Sequence, residues 1–240
     1  MLEAAGWSLL GASSLLLGAV ASFVLPIGKR TLGLIMGFGA GVLISAVAYE
    51  LIEESIAVAV DGVAVAAGFG CGALVFYGGD VFIDRRIATR SGKGASTGLA
   101  IVLGAVLDGI PESVVIGASL LTGEHASVAV IVAVFLSNIP EAIAASDELV
   151  DGGWSKRSIV LLWSVVVLTS ALAAGIGYVA LEGTSGDWIA AIQAFAAGAI
   201  LTMLSDEMFP EAFEFVDHDK SVGLAVALGF AVAAALSLTN

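Results

Sequence analysis

The chain has 240 residues, of which 59% are hydrophobic and only 13% charged, about half the charged share usual in soluble domains. With a mean hydropathy of +1.04 it reads as an integral membrane protein, leaving no room for a separate soluble domain, and residues 1–240 are taken as one polytopic unit. The net charge of −13, with nine Lys plus Arg, points to acidic water-facing ends and no nucleic-acid partner. The single cysteine, Cys71, excludes an intrachain disulfide and a cysteine-based metal site.

A membrane span needs about 20 mostly apolar residues. Apolar stretches between polar or Gly-rich breaks predict eight helices, at about 8–25, 31–54, 61–84, 97–122, 126–149, 157–181, 187–211 and 220–238. The first carries "AVA" at 19–21, which resembles a signal cleavage site. Glu3 before it and Lys29 and Arg30 after it favour a retained span that starts outside. The 30 glycines suit helices whose backbones approach closely, since lipid offers no hydrophobic drive for association.

Basic residues set the orientation. Lys29 and Arg30 follow the first span, Arg85, Arg86, Arg90 and Lys93 the third, Lys156 and Arg157 the fifth, and Lys220 the seventh. All of them fall on one side, so the positive-inside rule places both termini outside a cell membrane.

The fourth and fifth spans carry a paired motif. "DGIPES" at 108–113 and "SNIPEA" at 137–142 align at an offset of 29. A second pair, "FGAGVLISAVAYELIEES" from Phe38 and "FAAGAILTMLSDEMFPEA" from Phe195, aligns at an offset of 157 and matches Glu50 with Glu207 and Glu54 with Glu211. The matched spans run in opposite directions. The fold class is therefore an all-α membrane protein of eight transmembrane helices in an inverted 3+2+3 repeat, an arrangement typical of secondary transporters.

Asp108 and Ser137 lie about 11 residues into their spans, which at about 1.5 Å per residue is the bilayer's middle. Asp108 with Glu112, and Ser137 with Glu141, are four apart and share a helix face. Packing those faces together would assemble three carboxylates and a hydroxyl with Asn138 close by, a cation site. Pro111 and Pro140 lack an amide hydrogen, so the carbonyls of Leu107 and Leu136 lose their helical partners. Such carbonyls are tolerated where they line a wet cavity or hold a cation. Each charge at the bilayer centre costs at least about 2.5–3.5 kcal/mol, and with no Lys or Arg in these spans the acids must be protonated or cation-bound.

Flanking acids extend the site into a staircase. The second span ends in Glu50, Glu53 and Glu54, and the seventh in Asp206, Glu207 and Glu211. Both histidines, His125 and His218, are expected in plain surface loops.

These motifs resemble the ZIP family of zinc and iron permeases, whose fourth and fifth spans carry a pattern close to His-Asn-x-Pro-Glu-Gly. The resemblance implies a transporter that moves divalent metal toward the cytoplasm, often as a homodimer, through a binuclear centre between those spans. It maps the first metal position to Asp108, Glu112, Ser137 and Glu141, and the second to Gly109 and Asn138 with both glutamates bridging. Asp108 replaces the usual histidine, Gly109 the usual asparagine, and Ala174 stands where the sixth span often has glutamate. One well-formed site is expected, oxygen-only and thus leaning slightly from zinc toward manganese or ferrous iron.

The cargo expected is therefore zinc, manganese or ferrous iron, with membrane lipid as surroundings and no organic cofactor. Two other readings stand beside transport. One is a metal-binding sensor or structural relative without flux, motivated by the missing histidine. The other is an intramembrane hydrolase, against which stand the absence of HExxH, of Gly-x-Ser-x-Gly and of an adjacent Ser and Lys couple; no enzyme is expected.

Overall fold

The computed structural model describes residues 1–83, 85, 95–122 and 127–237, excepting the side chains of 95–102 and 122. Arg86, Arg90, Lys93 and His125, used above for orientation and loops, lie outside the described residues. Among the described residues there are eight helices and no strand: α1 (Leu2–Val24), α2 (Lys29–Val58), α3 (Gly62–Ile83), α4 (Ala95–Thr122), α5 (Val128–Asp151), α6 (Lys156–Leu181), α7 (Gly186–Phe215) and α8 (Ser221–Ser237). Seven are long and apolar enough to cross a membrane, in α4 over Leu103–Leu121; α8, at 17 residues, is apolar but shorter. The chain reads as a multi-pass membrane protein.

The helices begin and end where local chemistry dictates. Ser127 and Ser155 cap α5 and α6 by accepting from the amides of Val130 and Ser158. Gly153 and Gly183 take positive φ just past the ends of those helices. The helices α4 and α5 continue through Pro111 and Pro140, so both prolines cost a backbone hydrogen bond without ending the helix. The helices α2 and α7 each widen into a π-helical turn, at Val47–Ile52 and Leu204–Met208. The two turns start 157 residues apart and carry Glu50 and Glu207.

Two groups of helices emerge from the packing. In one, α1 lies against α5 and α6, and α6 against α4; in the other, α2 pairs with α8 and α3 with α7. The groups meet where α2 crosses α5 and α4 crosses α7. The first group is filled by Leu15, Leu149, Ile159 and a fully buried Trp163, whose indole donates to Ser146 Oγ at 2.9 Å. Met36, Leu43, Leu51, Phe76, Ile116 and Ile200 form the larger core between the groups.

Outward faces are apolar instead of polar. On α6, Leu161, Val165, Leu168, Leu172 and Ile176 form one exposed stripe at helical spacing, and on α8 Leu224, Leu228, Val232 and Leu236 form another. Such stripes suit hydrocarbon and not water.

Glycines allow the closest crossings. A Cβ on Gly41 would run into the Val226 carbonyl, and one on Gly229 into that of Phe38, sealing α2 against α8. A Cβ on Gly198 would meet the Phe69 carbonyl, and one on Gly72 that of Phe195, sealing α3 against α7. Every residue in the first set has its counterpart 157 positions away in the second. At these four glycines backbone meets backbone, so close dispersion contact contributes to both seams.

Candidate functional site

The site lies where the two helix groups meet. Asp108 and Glu112 project from α4 and are 6% and 4% exposed, while Ser137 and Asn138 on α5 are 0% and 3% exposed. Glu141, one turn further along α5, is half-buried. Of the residues the sequence grouped, Asp108, Glu112, Asn138 and Glu141 are within reach of one another. A side-chain hydrogen bond joins Asn138 to Glu112, Glu141 lies within electrostatic reach of Glu112, and Asp108 lies within reach of both glutamates.

Local sequence explains this placement. Gly39 lets α2 press on α5, since a Cβ there would stand 3.1 Å from Ser137 Cα. Gly18 does the same for α1, where a Cβ would meet the Ile139 carbonyl at 2.5 Å. Gly109 opens α4 toward α6, with its Cβ position 3.1 Å from Ser170 Oγ.

The oxygens divide into engaged and orphaned. Ser137 Oγ donates to the Val134 carbonyl at 3.1 Å but keeps lone pairs free to accept or coordinate. Ser113 Oγ donates to the Gly109 carbonyl at 2.5 Å. Asp108 Oδ1 and Glu112 Oε1 are buried without a hydrogen-bond partner. Orphaned carboxylate oxygens in a protein interior are costly, and residues 103–151 contain no Lys or Arg to offset them. Among the described residues, no three His, Cys, Asp or Glu side chains converge tightly enough to hold one metal ion. Coordination would therefore draw on amide, hydroxyl and carbonyl oxygens beside the acids.

Surroundings differ on the two sides of Glu112. Toward Glu50 lies a cavity of about 10 Å³ in which Glu112 is the one polar lining residue; Leu43, Val47, Leu51, Val130, Val134 and Ile200 supply most of its wall. That volume is about the room one water needs, in a setting too apolar to hold it. Further acids lie within electrostatic reach of Asp108 and Glu141. Asp108 and Glu141 both sense Glu207, Glu141 also senses Glu211, and Glu211 senses Glu148 and Glu214.

The expected pathway residues divide accordingly. Glu207 and Glu211 join the central acids, whereas Asp206 is exposed on the far face of its turn. Glu50 and Glu54 are each held by a neighbour: Ser127 Oγ donates to Glu50 at 2.5 Å and Gln193 Nε2 to Glu54 at 3.0 Å. Exposed Glu53 takes no part, and His218 sits exposed in a left-handed turn at φ 59°.

Sequence reasoning passed over Asp80, Glu148, Ser127 and Gln193. Asp80 had a readable signal, being the sole acid within α3. The others fall at helix ends or look like ordinary polar residues, and only the packing gives them acidic neighbours. Comparison with protein-family models and with curated proteins returns no match.

Proposed function

We propose that this chain is a divalent metal cation transporter of the ZIP kind, carrying zinc, manganese or ferrous iron toward the cytoplasm. The observation that carries the reading is the meeting of buried Asp108, Glu112 and Asn138 with half-buried Glu141, in which Asp108 Oδ1 and Glu112 Oε1 have no hydrogen-bond partner. Pro111 and Pro140 add the freed carbonyls of Leu107 and Leu136 to the same level. Oxygen donors of this kind suit hard divalent cations, and no organic cofactor is needed.

The inverted 3+2+3 repeat belongs to this proposal, with α8 as the eighth span. It is supported by the seams at matched glycines, by the matched π turns, and by the pairing of α1 with α5 and of α6 with α4. In that frame both termini lie outside a cell membrane, lipid covers the apolar stripes, and the chain assembles as a homodimer, as the ZIP resemblance implies.

Metal approaches Glu50, crosses the apolar layer around Val47, Leu51, Val130 and Val134, and is held by Asp108, Glu112, Ser137 and Glu141 with Asn138. It leaves along Glu207 and Glu211. Apolar side chains line the void beside Glu112, and passage past them has α4 and α5 moving against α2 and α7. Interfaces between two packed groups are the natural place for such rocking. Chemistry on the cargo plays no part, and the chain is not an enzyme.

A second reading, metal binding without flux, is favoured by the same apolar layer and by Gly109 and Ala174 at positions where the ZIP pattern has ligands. One experiment separates them. Proteoliposomes with the native chain should accumulate zinc, manganese or ferrous iron, and Glu112→Gln at matched incorporation should not. Metal bound by the native protein but never taken up would select the second reading; no binding at all would defeat both.

A further inference from the structure

Among the described residues, Gln193 is the one buried polar side chain of α7, at 1% exposure, and its buried neighbours on that helix are Ala190, Ala194, Ala196 and Ala197. Its Nε2 reaches across to α2 and donates to Glu54 Oε2 at 3.0 Å, whereas its Oε1 is buried without a hydrogen-bond partner. The two helix ends are fixed around this pair. A Cβ on Gly186 would stand 2.5 Å from the Val58 carbonyl, and Asp187 Oδ1 accepts from the Val60 and Asp61 amides at 2.7 and 3.3 Å. Burying an amide whose carbonyl oxygen meets no donor is costly, and an alanine like its neighbours would avoid that cost.

The two ends of an amide are chemically opposite. As it stands, Gln193 turns its nitrogen to the carboxylate. Turned end over end, it would set Oε1 against Glu54 Oε2, two acceptors that only a cation or a proton could join. We propose that Glu54 and Gln193 form a cation subsite at the mouth between α2 and α7, where a hard divalent ion binds the carboxylate and the turned amide oxygen and keeps water as its remaining ligands. Hard cations accept amide carbonyl oxygens and retain water in this way, and Glu54 is only half-buried. As an entry station, from which the ion passes to Glu50, the subsite rests on the transport reading above. Two protein donors make a weak site, which lets an ion both arrive and leave.

The test is equilibrium dialysis of the detergent-purified full chain against Mn²⁺, with Glu112→Gln and Glu141→Gln in place to empty the central site. One ion should remain bound per chain. Adding Glu54→Gln should remove it, because the new amide still accepts from Gln193 Nε2, so the tie between the helices survives and only the charge is lost. Adding Gln193→Glu should instead tighten Mn²⁺ binding at least about tenfold, since affinity for a hard cation rises with ligand charge. No ion in the chain with the central site emptied, but one in the native chain, would overturn this subsite and spare the central one. An ion that survives Glu54→Gln, or that Gln193→Glu fails to tighten, would overturn it as well. A native chain that holds no more metal than the chain with Glu112→Gln and Glu141→Gln would overturn the central reading and, with it, the entry role.

Discussion

Ser127 Oγ donates to Glu50 at 2.5 Å while also accepting from the Val130 amide at 3.3 Å. One hydroxyl thus caps α5 and fixes the carboxylate of the π turn in α2. Removing an N-cap hydroxyl costs about 1 kcal/mol, and the hydrogen bond to a charged partner adds to that loss. Ser127→Ala should lower the unfolding midpoint in detergent by several degrees and slow metal uptake, and Ser127→Thr should restore both. A midpoint unchanged by Ser127→Ala would mean that the hydroxyl stabilises nothing.

Glu112→Gln and Glu141→Gln each replace a central carboxylate by an amide of the same shape. Both variants should fold, because burying a neutral amide is cheaper than burying a charge. Uptake of every tested metal should fall at least about tenfold, the size expected from about 1.4 kcal/mol of lost stabilisation of the bound ion. Uptake at the native level in both would remove the site assignment.

Asp108→His introduces a nitrogen donor at the buried position where the site is otherwise oxygen-only. Imidazole favours zinc over manganese. Competition uptake should move toward zinc, and an unaltered metal ranking would place selectivity elsewhere in the chain.

The helix seams make a prediction that needs no metal. Gly72→Ala and Gly229→Ala push a methyl into the carbonyls of Phe195 and Phe38, whereas Gly70→Ala and Gly223→Ala, in the same two helices, meet nothing within 4 Å. Overpacking of this kind costs about 1–3 kcal/mol. Thermal unfolding should show the first two destabilised by similar amounts and the second two unaffected. Unequal losses at Gly72 and Gly229 would argue against two equivalent halves.

Much of this molecule is local and therefore legible in its sequence. Runs of apolar residues gave eight helices near their observed places, though α1 starts at Leu2 instead of near residue 8, and α2 and α7 extend to Val58 and Phe215. Nothing in "EESIAV" breaks α2, and α7 continues through Pro210 just past its π turn, where the missing amide leaves one carbonyl of that turn without a helical donor but does not end the helix. Asp108 with Glu112, and Ser137 with Glu141, could be paired from spacing alone, because a four-residue step puts side chains on one helix face; whether the two pairs meet depends on packing.

Tertiary structure decided the rest. The π turns follow from one extra residue in the hydrogen-bonded ring, which no residue in "VAYELI" or "LSDEM" announces. Helices that are apolar all round carry a weak directional signal, so the faces α2 and α3 would turn to α8 and α7 could not be read from periodicity. The apolar layer before Glu112, the hold of Ser127 on Glu50, and the hold of Gln193 on Glu54 all depend on that choice of faces. Sequence determined which residues are apolar, acidic or unable to donate a hydrogen bond; only packing between distant helices determined which of them meet.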